Sequence, residues 1–249
     1  DGVETNTGEL VDEENTGTDP NNADTDGDGY KDGGEIAGGT DPNDENSKGA
    51  LPAPFLYLDD SETALDAPEP MSLLAVPFHG WEKEPVNAGF QRYAESLERL
   101  QSDGFGPITV CLYWLEYEDE DMRACFTDRG FKVTSLGHRD NNPDFLVKQR
   151  ELLLNHSYVT SNRISTAAFY ALFLHRKFFL HGPFVEVGDS NPSMPFHQWQ
   201  KQHFKALEYG QFGDRAYPSI GERELGVAHA QHRVAVDRLF CGYLFGNDG

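Results

Sequence analysis

The 249 residues carry 42 Asp and Glu against 20 Lys and Arg, a net charge of −22, and their 38% hydrophobic content is enough to bury a core in part of the chain. An acidic chain without a basic stripe argues against nucleic acid as a partner, and the longest apolar run, residues 167–174, is far short of the ~20 residues that cross a bilayer. Three cysteines, Cys111, Cys125 and Cys241, are too few and too scattered for a disulfide framework or a zinc site.

The acidity is uneven. Residues 1–70 hold 20 Asp or Glu against two Lys, while residues 71–249 come to a net of only −4. An acidic segment of this kind often is a solvated tail, but a motif inside it says more. Asp24-Thr-Asp26-Gly-Asp28-Gly29-Tyr30-Lys-Asp32-Gly-Gly-Glu35 fits D-x-D-x-D-G-x5-E at every fixed position. A hard cation such as calcium takes six to eight oxygens. Asp24, Asp26, Asp28 and Asp32 would supply carboxylates, Tyr30 its carbonyl, and Glu35 a bidentate carboxylate. Gly29 stands at the sharp turn, where a positive φ is needed. Magnesium suits the loop less, because it prefers a smaller octahedral site that keeps its waters. Without metal the crowded carboxylates repel, so the loop is expected to be loose.

A calmodulin-like sensor needs a helix on each side of the loop, and flanks rich in Gly, Asp, Asn and Pro do not provide them. A repeat fits better: Asp1-Gly-Val-Glu4 echoes Asp32-Gly-Gly-Glu35, and Gly17-Thr-Asp-Pro-Asn21 echoes Gly39-Thr-Asp-Pro-Asn43. Residues 1–46 resemble bacterial thrombospondin type 3 repeats, in which DTDGDGYKDGGE and GTDPN recur along calcium-stabilised stalks. The resemblance implies a rigid calcium-bound spacer, usually secreted or at the cell surface. Residues 47–70, with Pro52, Pro54, Pro68 and Pro70, read as an extended linker. With no initiator Met and no signal-peptide pattern, the chain reads as a fragment, a mature form or an expressed portion.

From Met71 on, strand-like and helical patterns alternate. Strands are expected at 72–78, 108–114, 132–136, 158–160 and 177–180. Phe90, Tyr93, Ala94, Leu97 and Leu100 share one helical face, as do Met122, Cys125 and Phe126; a weaker helix covers 144–155. Cys111 and Cys125 then read as core packing. Ile164, Ala167, Ala168, Ala171 and Leu174 mark a further helix, entered from the turn Ser161-Asn162-Arg163. The whole is an α/β domain over residues 71–249, an open parallel Rossmann-like sheet with helices on both faces, preceded by a small irregular calcium-binding repeat.

Such sheets bind ligands beyond the carboxyl ends of their strands. Those ends carry Phe78-His79-Gly80-Trp81, Tyr113-Trp114, Gly137-His138-Arg139, Ser161-Asn162-Arg163 and His181-Gly182-Pro183. Ser161, Asn162, Arg163, Ser165 and Thr166 surround a helix N-terminus, which favours an anion; an ordinary capped helix without a ligand gives the same pattern. No G-x-G-x-x-G or Walker lysine loop follows the first strand, and Ser165 lacks a G-x-S-x-G context, which disfavours dinucleotide, P-loop and hydrolase sites.

PITVCLYWLEY followed by RGFKVTSLGHRDNNPDFLVKQRELLLNHSYVTSNRISTAAFYALFLHRKFFLHGP resembles the C-terminal, donor-binding half of bacterial GT-B glycosyltransferases, those of surface-polysaccharide synthesis in particular. The resemblance covers roughly residues 71–185 and runs more loosely to the end. It implies a nucleotide sugar as donor and a glycan as acceptor. The diphosphate would lie on Ser161, Asn162, Arg163, Ser165 and Thr166, with His79, Gly80, His138 and Arg139 around the donor. In GT-B enzymes an N-terminal acceptor half often supplies the general base. The residues before Met71 read as a repeat and a linker, which leaves His79 as the in-chain base candidate. Nucleotide sugars are cytoplasmic whereas these repeats are usually external, so a secreted, non-catalytic, calcium-stabilised binding or structural protein is the competing reading. Toward the C-terminus, helices are expected at 194–209 and 225–240; His229 and His232, three apart, lack a third metal ligand.

Overall fold

A computed structural model describes residues 6–8, 16–23, 25, 32, 43, 53–58, 67–79, 89–185 and 195–227. The chain divides into two units, residues 58–225 and residues 1–57 together with 226–249.

The larger unit is α/β. Its strands, β1 Leu73–Ala75, β2 Ile108–Leu112, β3 Lys132–Ser135, β4 Tyr158–Ser161 and β5 Lys177–Leu180, form one open sheet in the order β3-β2-β1-β4-β5. Every pairing is parallel, with Leu73 opposite Ile108 on one side and Tyr158 on the other. Helices fill the crossovers: α1 Phe90–Ser102, α2 Trp114–Glu118 and α3 Glu120–Thr127, α4 Phe145–Leu154, and α5 Thr166–Phe173. After β5 come α6 Phe196–His203 and α7 Pro218–Glu224. Among the described residues no helix is long and apolar enough to cross a membrane.

β1, β2 and β4 are buried at every position, as a parallel sheet covered on both faces requires. β3 lies at an edge and has no buried position. Successive side chains alternate between faces. Leu73, Ala75, Val110, Leu112 and Phe179 enter one core with Tyr93, Leu97 and Leu100 of α1 and Phe126 of α3. All five apolar residues assigned to the α1 face from their spacing are buried. Fully burying a leucine such as Leu97 is worth about 1.5–3 kcal/mol. Leu74, Val159 and Phe178 are buried from the other face, where α5 packs on β4 and β5. Just past β5, Gly182 has φ +98°, and a Cβ there would sit 2.6 Å from the Tyr93 ring. Only glycine lets the chain pass α1 at that point.

Element ends differ from the sequence expectation for local reasons. The first strand stops at Ala75 rather than at residue 78, because Pro77 has no N–H and the Phe78 N–H goes to the Asn162 side chain. The second stops at Leu112: Tyr113 is the N-cap of α2, and the Tyr117 N–H returns to its carbonyl. The helix expected at 194–209 breaks into α6 and a 3-10 turn, Lys205–Leu207. Leu225, where the sequence leads one to expect a helix running to residue 240, is the C-cap of α7, whose entry is marked by Pro218 at the first helical position, and residues 228–240 of that expected helix lie outside the described residues. Residues 228–249, with His229 and His232, lie outside the described residues.

In the smaller unit, Asn43 of the second GTDPN copy donates through Nδ2 to the Thr16 carbonyl at 2.9 Å, next to the first copy. Within the first copy the Asp19 carboxylate accepts the Asn21 N–H at 2.9 Å, an Asx-type turn.

Candidate functional site

The crossover from β3 to β4 returns over the sheet, so the neighbours β1 and β4 send their chains to opposite faces, toward α1 and α5. That divergence opens the crevice in which doubly wound sheets hold ligands. Here a cleft of about 410 Å³ lies at the carboxyl ends of the strands. His79 from the β1 loop, Tyr113 after β2, His138 and Arg139 after β3, and Ser165 and Thr166 at the start of α5 all line it.

Its walls are aromatic. The His79 ring stacks on Tyr113 with centroids 4.1 Å apart and planes 9° from parallel, and His138 lies against Trp114 at 5.2 Å. Such flat faces accept a planar heterocycle by offset stacking. Polar groups gather at the α5 end. Ser165 is the N-cap and its side chain makes no capping bond, Thr166 is exposed, and both line the cleft with Ala167, while the Ala168 N–H turns back to the Ser165 carbonyl at 3.0 Å. One turn on, Tyr170 also lines the cleft; burial raises its phenol pKa and the Arg139 guanidinium opposes the rise. On the floor, burial pushes the Cys111 thiol up to about 12, against a hydrogen bond with the Leu136 backbone, which leaves it an inert packing group.

The corner Ser161-Asn162-Arg163 is built differently from the expectation. Ser161 and Asn162 are buried, 1% and 3% exposed. Asn162 Oδ1 accepts the Phe78 N–H at 2.8 Å and its Nδ2 donates to the Pro183 carbonyl at 2.9 Å, tying the β1, β4 and β5 loops together. The Arg163 guanidinium lies 4.3 Å from the Phe78 ring centre and 4.2 Å from that of Phe196, and Nη1 donates to the Val185 carbonyl at 3.3 Å. These three side chains brace the rim, and none lines the cleft, whereas His79, His138, Arg139, Ser165 and Thr166 do. Gly80 lies outside the described residues.

Sequence reasoning passed over Tyr170 and Gln149, which also line the cleft. The signal for Tyr170 was its spacing, one helical turn beyond Thr166.

Of the expected calcium ligands, Asp32 is described; Asp24, Asp26, Asp28, Tyr30 and Glu35 lie outside the described residues. Asp32 is 4% exposed, and its carboxylate accepts both the N–H and the hydroxyl of Thr25, each at 2.7 Å. Its own N–H closes on the Ala23 carbonyl at 3.1 Å. The loop is thus pinned across its ninth and second positions. Among the described residues no three His, Cys, Asp or Glu side chains gather as a metal cluster. The donor set of the motif remains all oxygen and fits a hard divalent cation.

A family model described as a bacterial TSP3 repeat matches residues 24–45. Repeats of that family are of a calcium-binding type. No curated protein and no solved structure matches the chain.

Proposed function

We propose that the α/β unit is the nucleotide-sugar-binding half of a glycosyltransferase of the surface-polysaccharide type, carried on a calcium-stabilised spacer. One observation carries this reading: a single cleft at the switch point is lined both by the stacked His79 and Tyr113 rings and by Ser165, Thr166 and Ala167 at the N-terminus of α5. A nucleotide sugar asks for both. Its base needs a flat face, and its diphosphate needs converging donors with positive potential. Arg139 and His138 add cationic and hydrogen-bonding groups on the same rim, Ser165 and Thr166 add hydroxyls, and His79 is the base candidate. Ser161, Asn162 and Arg163 hold the rim in shape and are left out of the donor contacts.

Thermal unfolding of the full chain in UDP, GDP and CMP, and in their sugars, with and without calcium, tests the proposal. A ligand that binds only the folded state at about 100 times its Kd adds about 2.7 kcal/mol of stability, a readable rise in Tm. A rise with at least one nucleotide that is lost in Arg139→Ala supports it. A chain indifferent to all of them, shifted by calcium alone, rejects it. That outcome favours the second reading, a non-catalytic protein stabilised by calcium, for which the TSP3 repeat match is the supporting observation.

A further inference from the structure

A second cleft, of about 300 Å³, opens on the far side of the Asn162 brace, at the carboxyl ends of β4 and β5. Two of its groups are held in place by the fold and left with hydrogen-bonding capacity. Gln200 of α6 is only 2% exposed, and its Oε1 accepts the Ile164 N–H at 2.7 Å. That bond fixes the amide orientation, so the NH2 group is the end that remains, and among the described residues it has no acceptor. Glu208 is set by the sheet: it bridges Leu180 in parallel, and the following Tyr209 N–H donates to the Leu180 carbonyl at 3.0 Å. Its half-buried carboxylate accepts no hydrogen bond from a described residue. Burial raises its pKa, and the charge of Lys201 opposes the rise.

The lining therefore offers a donor in Gln200, oriented by its bond to Ile164, and an acceptor in Glu208, whose backbone is set by the sheet. The Glu208 and Lys201 charges cancel, and the rings of Phe184 and Tyr209 form part of the walls. A phosphate would face the carboxylate, and a cation would face the ammonium. Hydroxyls, which donate and accept at once, suit both groups, and the C–H face of a sugar ring suits the aromatic walls. We propose that this second cleft binds a neutral pyranose through its hydroxyls, with Gln200 and Glu208 as its polar contacts. Its role as an acceptor subsite beside the first cleft rests on the donor-half reading above; the sugar binding itself does not.

Saturation-transfer NMR on the full chain with methyl α-glucopyranoside, methyl β-galactopyranoside and maltose reads this site directly. Transfer to ring protons of at least one of them is expected. Glu208→Gln, which keeps the size and removes the charged acceptor, should weaken binding about tenfold. Gln200→Glu keeps the oxygen for Ile164 and removes the NH2 donor, and should weaken it comparably. No transfer from any of the three, binding by both variants as tight as by the wild type, or binding of inorganic phosphate in their place overturns the proposal. UDP-dependent thermal shifts on the same samples separate the two readings. A UDP response without a glycoside signal removes the pyranose site alone. A glycoside signal sensitive to Glu208→Gln, without a UDP response, keeps the pyranose site and removes the donor reading.

Discussion

Asn162 holds Phe78 by its main chain: the side-chain Oδ1 of one accepts the N–H of the other at 2.8 Å, across 84 residues of sequence. The same amide donates to Pro183, so one buried side chain fastens three loops at the carboxyl edge of the sheet. Asn162→Ala leaves the Phe78 N–H and the Pro183 carbonyl without these partners. The expected cost is about 1–3 kcal/mol for each group left unsatisfied, seen as a lower urea midpoint with an unchanged m-value. A midpoint within error of wild type would show that the brace is dispensable.

Gly221 gives a second test, one of packing. α7 crosses α5 so closely that a Cβ on Gly221 would lie 2.5 Å from the Phe173 nitrogen and 2.8 Å from the Phe169 carbonyl oxygen. Both contacts are backbone, so no rotamer change relieves them. Gly221→Ala in an ordinary exposed helix would stabilise. Here it should destabilise by about 1–3 kcal/mol, the usual cost of overpacking, measured by chemical denaturation. Because α5 presents Ser165 and Thr166 to the first cleft, the variant should also weaken any nucleotide response.

The fold was legible where a single period governs the residues. The α1 face from Phe90 to Leu100 has no competing reading, and strand β5 falls at 177–180 as its apolar run indicates. Ends were less legible, because they depend on remote partners: nothing near Phe78 in the chain announces that its N–H will be taken by Asn162. The site divides the same way. Residues that follow strand ends directly, His79, Tyr113, His138 and Arg139, reach the cleft by topology alone. The corner Ser161-Asn162-Arg163 has the residue types of an anion site and serves instead as a buried brace. Type and spacing do not tell whether a side chain turns toward ligand or toward protein. Glu208 carried no local pattern at all, since its place comes from a bridge to Leu180, 28 positions earlier in the chain.

Two imidazoles make stability depend on pH. Burial lowers the pKa of His156, against a hydrogen bond to the Leu152 carbonyl, with Lys132 adding to the lowering. Burial also lowers that of His181, with Arg99 reinforcing and the Ser96 carbonyl and Asp103 opposing. A histidine with a folded pKa below its unfolded value near 6.5 takes up its proton more readily when unfolded. Its contribution is present above that value and is lost as pH falls through it toward the folded pKa. The urea midpoint should therefore decline from pH 7 toward pH 5, and the decline should flatten in His156→Asn/His181→Asn. An unchanged slope in the double variant would place the titrating groups elsewhere.

Calcium should act on the repeat through ligands of unequal weight. Glu35, at the last loop position, is the residue whose two oxygens would both reach a calcium ion, and the motif provides no substitute for it. Asp32 differs, because both of its carboxylate oxygens already accept from Thr25, at 2.7 Å each. Its first contribution is to close the loop, and a carboxamide retains part of that: the Oδ1 of an Asn still accepts the Thr25 N–H. By calorimetric titration of the full chain, Glu35→Gln should lower calcium affinity by about an order of magnitude or more, and Asp32→Asn by less. Thr25→Val removes the hydroxyl donor and keeps the N–H. It should weaken calcium through the loop's closure while leaving the stoichiometry unchanged. Magnesium should compete poorly, since it holds its waters and needs a tighter octahedral site. Asp32→Asn more damaging than Glu35→Gln would mean that the ninth position is a direct ligand and that the Thr25 contacts give way when the metal enters.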